Sequence, residues 1–307
     1  MARYIVRRIL WFIPVLFTIT LVTFSLVRVI PGGPFDFSGD KSMPAVIREN
    51  LNRKYHLDEP VWKQYGRYLW DLAHGDLGPS LRYKNRTVND IVRETLPVSA
   101  QLGVLSLMLA LAIGIPAGIF AALRQNTTID YGSTFIAIVG VSIPNIVLGP
   151  LLIWVFALKL GWFPVARWGS LRQAVLPTIA LGTGLSASIA RLTRASLLQV
   201  IREDYIRTAR AKGLRERLVV VRHALKNALI PVVTILGPMF AAVVTGTFVV
   251  EQIFGIAGMG KHFVQSITNR DYPVVVGVTL IYSVFLVVAN LLVDITYAWL
   301  DPRIRYE

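Results

Sequence analysis

Residues 9–30 run for 22 positions with a single charge, Arg28. The hydrocarbon core of a bilayer is about 30 Å thick, and a helix crosses it with about 20 predominantly apolar residues. Further stretches of this kind cover 97–123, about 131–158, 228–250 and 274–300. A shorter one, 174–190, is expected to extend into its polar flanks. Open-edged sheets leave backbone groups unsatisfied in lipid, so helices are the form these stretches take. The predicted fold class is therefore an all-α polytopic membrane protein with six transmembrane helices. Composition agrees, since 16% of the 307 residues are charged, against about a quarter in soluble domains. That excludes a disordered chain and leaves too few charges to coat a soluble globule.

Orientation follows from where Lys and Arg lie. The N-terminus carries Arg3, Arg7 and Arg8, and the C-terminal tail carries Arg303 and Arg305. Between the fourth and fifth stretches, 191–226 holds ten Lys/Arg against Glu203, Asp204 and Glu216. With six crossings all three segments fall on one side, which the positive-inside rule places in the cytoplasm. Both termini are then cytoplasmic, and 31–96 lies outside with ten Lys/Arg against nine Asp/Glu. The chain is expected to cross its membrane several times. A signal peptide is the alternative for the first stretch, but its apolar run exceeds the usual ~7–15 residues and no A-x-A site follows. Instead Pro31, Gly32, Gly33 and Pro34 form a helix-ending cluster. Trp11 and Phe12, then Trp162, Phe163 and Trp168, then Tyr297 and Trp299 can place rings at headgroup level; some of them fit lipid-facing positions equally well. The expected organisation is 1–96 (first helix plus outer segment 31–96), 97–300 (membrane core with an inner loop at 191–228) and a tail at 301–307.

Soluble-enzyme chemistry is poorly represented. There is no cysteine, and His56, His74, His223 and His262 are scattered without metal-ligand spacing. No catalytic residue and no metal site are expected. The stretch 255–261, GIAGMGK, fits G-x-x-x-x-G-K, but His262 stands where a phosphate loop needs Ser or Thr, and a preceding strand is required. A glycine-rich re-entrant turn is the better reading. Ionisable residues inside spans are functional candidates by default, and here they are Arg28, Glu251 and Asp294. Snorkelling or mutual pairing serves Arg28 and Glu251 as well, and an interhelical hydrogen bond serves Asp294. Modest polar groups within the spans, together with two of these ionisable residues, are Gln101, Ser142, Asn145, Ser186, Ser188, Thr245, Thr247, Glu251 and Asp294; each could line a pathway through the membrane or bond between helices. Gly114 and Gly118, at G-x-x-x-G spacing, mark close helix packing.

Two extramembrane segments have periodicity of their own. In the outer one, Val46, Ile47, Leu51 and Tyr55, then Trp62, Tyr65, Leu69 and Leu72, fall on helical faces. The segment is a small ordered cap or docking surface, or else a passive connector. In the inner loop, Ala209 and Ala211 interleave with Arg207, Arg210 and Lys212, and Gly213 can take the positive φ that ends a helix. A second amphipathic run follows with Leu218, Val221, His223, Leu225 and Leu229. The loop is helix–turn–helix: either a short helix that inserts into a partner's groove or a basic loop that only fixes topology.

The stretch 204–231 resembles the coupling loop of ABC importer permeases in the version carried by peptide permeases. The general loop begins Glu-Ala-Ala with Gly four residues after the second Ala; here Arg207, Thr208, Ala209 and Gly213 occupy those positions, so only the second Ala and the Gly match. The segments RTARAKGL and HALKNALIP are those of the peptide-permease version. Other stretches point the same way: Arg7 and Arg8 before the first helix, 74–80 (HGDLGPS), 88–91 (VNDI), 121–126 (AALRQN), 251–260 (EQIFGIAGMG), 269–272 (NRDY) and 301–306 (DPRIRY). The resemblance to OppB/DppB-type permease subunits covers nearly the whole chain.

That resemblance implies the ABC type I importer permease fold, a non-catalytic subunit and a multi-pass place in the bacterial cytoplasmic (inner) membrane. The implied partners are a second, OppC/DppC-like permease, two ATPase subunits, an extracytoplasmic peptide-binding protein, membrane lipid and a peptide substrate, with no nucleic acid. The chain would hold no cofactor itself, ATP and Mg being bound by the ATPases. Oligopeptides are the implied cargo; dipeptides, nickel or another small cargo such as an opine fit the same architecture, and a stand-alone secondary carrier is the remaining class. In coupling, Ala209 and Gly213 would permit close approach of a partner's backbone. Arg207, Arg210, Lys212 and Arg215 would pair with acidic groups or lipid phosphates. Glu203 and Asp204 would favour the N-terminal end of the short helix.

Overall fold

The computed structural model describes residues 2–30, 32–35, 44–246 and 248–300. The expected tail with Arg303 and Arg305, and Thr247, lie outside these residues; of Thr245 and Asp294 only the backbone is described. Every regular element among the described residues is helical. Four helices are long and apolar enough to cross a membrane, and six spans result if each of two bent pairs counts as one. The chain divides into two compact units, 1–98 with 258–285 and 99–257 with 286–307.

The first unit holds α1 (Ala2–Val29), α2 (Ala45–Lys54), α3 (Val61–Ala73), the start of α4 (Val88–Leu123), α13 (Met259–Asn269) and the first half of α14 (Tyr272–Leu300). Pro44 and Pro60 immediately precede α2 and α3, where a missing N–H costs nothing. Residues 45–54 and 61–73 of the outer segment are thus helical, as their periodicity predicts. Its helix α3 lies along α1: the Tyr65 and Tyr68 rings sit 5.0 and 6.0 Å from Phe24. The Tyr65 hydroxyl donates to the Phe17 carbonyl at 3.3 Å and is 3.1 Å from the Thr20 hydroxyl. Arg28 stacks over Phe24 at 3.5 Å and donates to Gln64 Oε1 at 2.6 Å. Its charge near the end of α1 is met by an aromatic face and an amide.

Three of the family-like stretches meet in this unit. Asn89 accepts from the Leu77 N–H at 2.8 Å and donates to the Gly75 carbonyl at 2.6 Å. Asp271, buried just before α14, accepts the Ser80 hydroxyl and the N–H groups of Leu81 (3.0 Å) and Arg82 (3.3 Å). A Cβ on Gly277 would lie 2.7 Å from Val88, so α4 and α14 approach closely there.

The second unit holds the rest of α4 and α14 and everything between, with α5 (Thr128–Ser142), α6 (Asn145–Leu152) running on as a π-helical stretch (Ile153–Lys159), and α7 (Leu171–Val200). The third expected span is therefore broken, and its two pieces meet at 98°. The cause is local: Ile143 precedes Pro144 and is held extended at φ −85°, ψ 112°. The fourth span begins at Ser170, whose hydroxyl accepts from the Gln173 N–H while Gln173 accepts from the Ser170 N–H. This capping box explains why the helix reaches into its polar flank. Gly114 and Gly118 do mark close packing: a Cβ there would lie 2.6 Å from the Ser186 carbonyl and 2.5 Å from the Ala190 carbonyl. The α4–α7 contact is backbone against side-chain-free backbone. The fifth span, α11 (Ile230–Gly246), follows Glu216–Ala228 at a 47° bend and is succeeded by α12 (Phe248–Ile253).

Candidate functional site

The inner loop is built on a buried inner face. Helix α8 (Asp204–Ala211) turns Ile206 and Ala209 inward, where they pack with Ala122, Leu197, Val219, Ala224 and Ala228. The opposite wall comes from α9 (Glu216–Leu218), a π-helical stretch (Val219–Ala224) and α10 (Leu225–Ala228). Ala209 is thus spent on the loop's own packing; its small side chain lets α8 lie close to the following run. Gly213 links the two halves at φ +73°, and a Cβ there would meet no atom within 4 Å. What fixes glycine at this point is backbone conformation, with open space around it.

The outer face carries the rest of the predicted set. Glu203, Asp204, Arg207, Arg210, Lys212, Gly213 and Arg215 are all exposed. Arg210 donates to both carboxylate oxygens of Glu216, at 3.1 and 2.7 Å, so a fork closes across Gly213. The hydrogen bond to Glu216 holds the Arg210 guanidinium above its usual range. Arg207 reaches Asp204 at 3.3 Å. Tyr205 and Asn227 tie the halves again at 2.8 Å.

Sequence reasoning missed the stem of this loop. Asp130, at the start of α5 and almost fully buried, receives Arg194 of α7 in two bonds of 2.6 and 2.7 Å and the Asn126 N–H at 3.0 Å. The pair spans 64 residues, and the one local signal is the Asn126–Asp130 spacing at a helix start.

The candidate pathway residues scatter. Asn145 and Ser188 come together on a concave wall of about 440 Å³ at the α5–α6 break, with Gly140, Gly184 and Pro144 beside them. Ser142 is exposed and returns its hydroxyl to the Ile138 carbonyl. Gln101 is exposed and accepts from the Trp168 indole at 3.3 Å. Ser186 is buried and bonded to the Gly182 carbonyl. Glu251 is fully buried, with the Ser99 hydroxyl at 2.6 Å, which places it inside the unit instead of along an open wall. The stretch 255–261 follows a helix, with Gly255 at φ +60° and its carbonyl neighbour Phe254 accepting the Arg167 N–H. No strand precedes it among the described residues.

With this geometry in view, comparison places the class. Residues 114–306 match the family described as binding-protein-dependent transport system inner membrane component, and 1–102 match the corresponding N-terminal membrane component. The chain belongs to this family of inner-membrane permeases. It is 46% identical over 308 residues to the oligopeptide transport system permease protein OppB of Salmonella typhimurium, covering all of both chains. It is 47% identical to the dipeptide transport system permease protein DppB of Bacillus subtilis, covering 99% of this chain and 98% of that one. Among solved structures, an inward-facing MetNI methionine ABC transporter matches with a TM-score of 0.56 at 19% identity, covering 69% of this chain and 96% of that one. An amino acid ABC transporter with histidines matches with a TM-score of 0.51 at 21% identity, covering 68% and 93%. These two share the fold of ABC type I importer permeases.

Proposed function

We propose that this chain is the permease subunit of an ATP-driven, binding-protein-dependent importer that moves oligopeptides into the cytoplasm. Cargo class rests on full-length similarity to relatives named for oligopeptide and dipeptide transport. The observation that supports coupling is the inner loop, apolar inward and basic outward, with its turn held by Gly213 and the Arg210–Glu216 fork. Such a loop holds its two halves together and has charge to present to a partner's groove. The partners in this reading are a second, similar permease, two ATPases that bind ATP and Mg, and an extracytoplasmic peptide-binding protein. Closure of the ATPases on ATP would carry the loop with it and open the pathway outward. The binding protein would then release peptide along a wall that includes Asn145 and Ser188.

The test is Gly213→Val, assayed in native membranes for peptide uptake and in purified complex for ATP hydrolysis. A β-branched residue at positive φ strains the turn by about 1–2 kcal/mol without meeting any neighbour. Uptake is expected to fall at least about tenfold while insertion and subunit association persist. Normal uptake would remove the coupling role. A purified complex that carries nickel or an opine in place of peptide would replace the cargo, and a lone chain without ATPases would return the secondary carrier.

A further inference from the structure

The first unit contains a cavity of about 210 Å³ that the transport reading does not use. Its walls include Phe24 and Arg28 of α1, Lys54 at the end of α2, Arg67 and Tyr68 of α3, and Tyr272 at the start of α14. Position comes first. Arg28 lies in the last turn of α1 and Tyr272 is the first residue of α14, so the cavity sits where two membrane helices meet the interface. Charge comes second. Three cations line the space, against one carboxylate, Asp71. Arg67 is already joined to Glu59 at 3.1 Å, whereas Arg28 and Lys54 form no ion pair among the described residues. Unmet hydrogen bonding comes third. Arg67 Nη1 and the Tyr68 hydroxyl are buried without a partner among the described residues, and such groups usually carry one, in protein or solvent.

The neighbouring face of α3 says what kind of molecule is at hand. Trp62 and Trp70 are 76% and 69% exposed, two turns apart with Gly66 between them. Lys63 and Arg67 flank the same groove. Tryptophan with basic residues is the pattern of a helix lying in the headgroup layer. The other side of α3 reaches down α1 as far as the Phe17 carbonyl, about 18 Å below Val29 at 1.5 Å per residue. Helix α3 is therefore seated alongside a membrane span, where outer-leaflet lipid is the neighbouring solvent.

We infer that this cavity holds the phosphodiester headgroup of an anionic phospholipid from the outer leaflet, with Arg28 and Lys54 as its counter-charges and Tyr68 as a donor. Bound there, a lipid would join α1, the α2–α3 cap and the head of α14 through one anion. The aromatic walls exclude water and strengthen the charge-assisted bonds.

The test uses the full chain with whatever subunits it retains in mild detergent. Native mass spectrometry measures retention of phosphatidylglycerol against phosphatidylcholine of the same acyl chains. Glycerol 3-phosphate serves as a tail-free headgroup and a tetrapeptide as an alternative anion. Phosphatidylglycerol is expected to bind about tenfold more tightly than phosphatidylcholine, and Lys54→Gln or Arg28→Gln to bring the two together. Tyr68→Phe, which keeps the ring and its packing, should weaken phosphatidylglycerol alone, and exposed Lys84→Gln should change nothing. If Arg28→Gln fails to insert, Lys54→Gln and Tyr68→Phe still decide. Equal retention of both lipids by the wild type, or phosphatidylglycerol binding unchanged in the variants that insert, overturns the site. Glycerol 3-phosphate or the tetrapeptide binding as tightly as the lipid assigns the cavity to a soluble anion and overturns the lipid.

Discussion

The outer segment and the inner loop both carry short helices and glycine turns at positive φ, Gly75 and Gly78 after α3 in one and Gly213 after α8 in the other. They spend their polar groups in opposite ways. Around the outer segment Asn89, together with Asp271 from just before α14, fixes backbone groups of 75–82 within one unit. In the inner loop the apolar residues point in and the charges point out. A segment whose polar groups are met within its own unit is built to hold its place. One that keeps its charges on an open face leaves them available to a partner, as the coupling role proposed above requires. Near neutrality outside and strong positive charge inside are then the outcome of two different tasks as well as of topology.

The comparison breaks first at the stem of the loop, where a buried polar contact is expected to matter most. Arg194→Met leaves the Asp130 carboxylate buried without its cation, at a cost of about 3–5 kcal/mol. The thermal midpoint of the purified complex and the yield in membranes should both fall sharply. Asp130→Asn combined with Arg194→Met should recover part of the loss, because the stranded charge is gone. If the single variant is as stable as the wild type, the stem is not what anchors the loop.

Next comes the contact that holds the outer segment from just before α14. Asp271→Ala removes the acceptor for two backbone N–H groups and the Ser80 hydroxyl, at a cost of about 3 kcal/mol. Ser80→Ala should cost about 1 kcal/mol. Protease resistance of 75–87, read together with the thermal midpoint, separates local release from global loss. Uptake per folded molecule should change far less than in the Gly213 variant. A transport defect in a well-folded Asp271 variant would mean that the outer segment also transmits a signal, and the contrast between the two segments would fail.

Much of this architecture was legible because bilayer thickness imposes length on apolar runs. The starts and ends of α1, α7 and α14 fall within a turn or two of polar or turn-forming residues, and the outer helices follow their Trp, Tyr and Leu spacing. Breaks within spans were harder. Hydropathy is continuous through 131–158, and only Pro144 records that Ile143 must be extended. Pairings across long separations were not legible at all. Nothing local to Ser99 announces Glu251, or to Ser80 announces Asp271, because a hydrogen bond across 152 or 191 residues leaves no periodicity. For the site, the exposed basic face was readable from charge, while the inward turn of Ala209 depends on the register of α8 against Val219 and Ala224.

On the exposed face the contrast predicts small stability effects and larger functional ones. Arg210→Gln breaks the fork to Glu216, but both side chains are well exposed, 39% and 57%, and such pairs are worth at most about 1 kcal/mol. The thermal midpoint should barely move, while uptake falls measurably, since the loop's turn is less firmly held and one outward charge is lost. A variant with unchanged uptake would make the basic face a topology signal only.

The smallest effect is expected at His262 of α13. Its ring lies edge-on to Tyr83 at 5.5 Å, and Nδ1 is buried without a partner among the described residues. Burial pushes its pKa below the usual 6.5, Arg86 and Lys261 add to that, and Glu94 opposes it. The fold therefore favours neutral imidazole. Above pH 6.5 both folded and unfolded chains carry it neutral, and the full stability of the unit is present. As pH falls below 6.5 the unfolded chain takes up the proton first, so stability declines toward the lower, folded pKa. This lies outside the membrane, where acidification reaches it directly. His262→Gln should flatten the dependence of the thermal midpoint on pH between about 7 and 5 while leaving Arg210 and the inner loop untouched. An unchanged slope would mean that the ring opens to water before it titrates, and that the outer segment is less firmly closed than its Ser80–Asp271 contacts suggest.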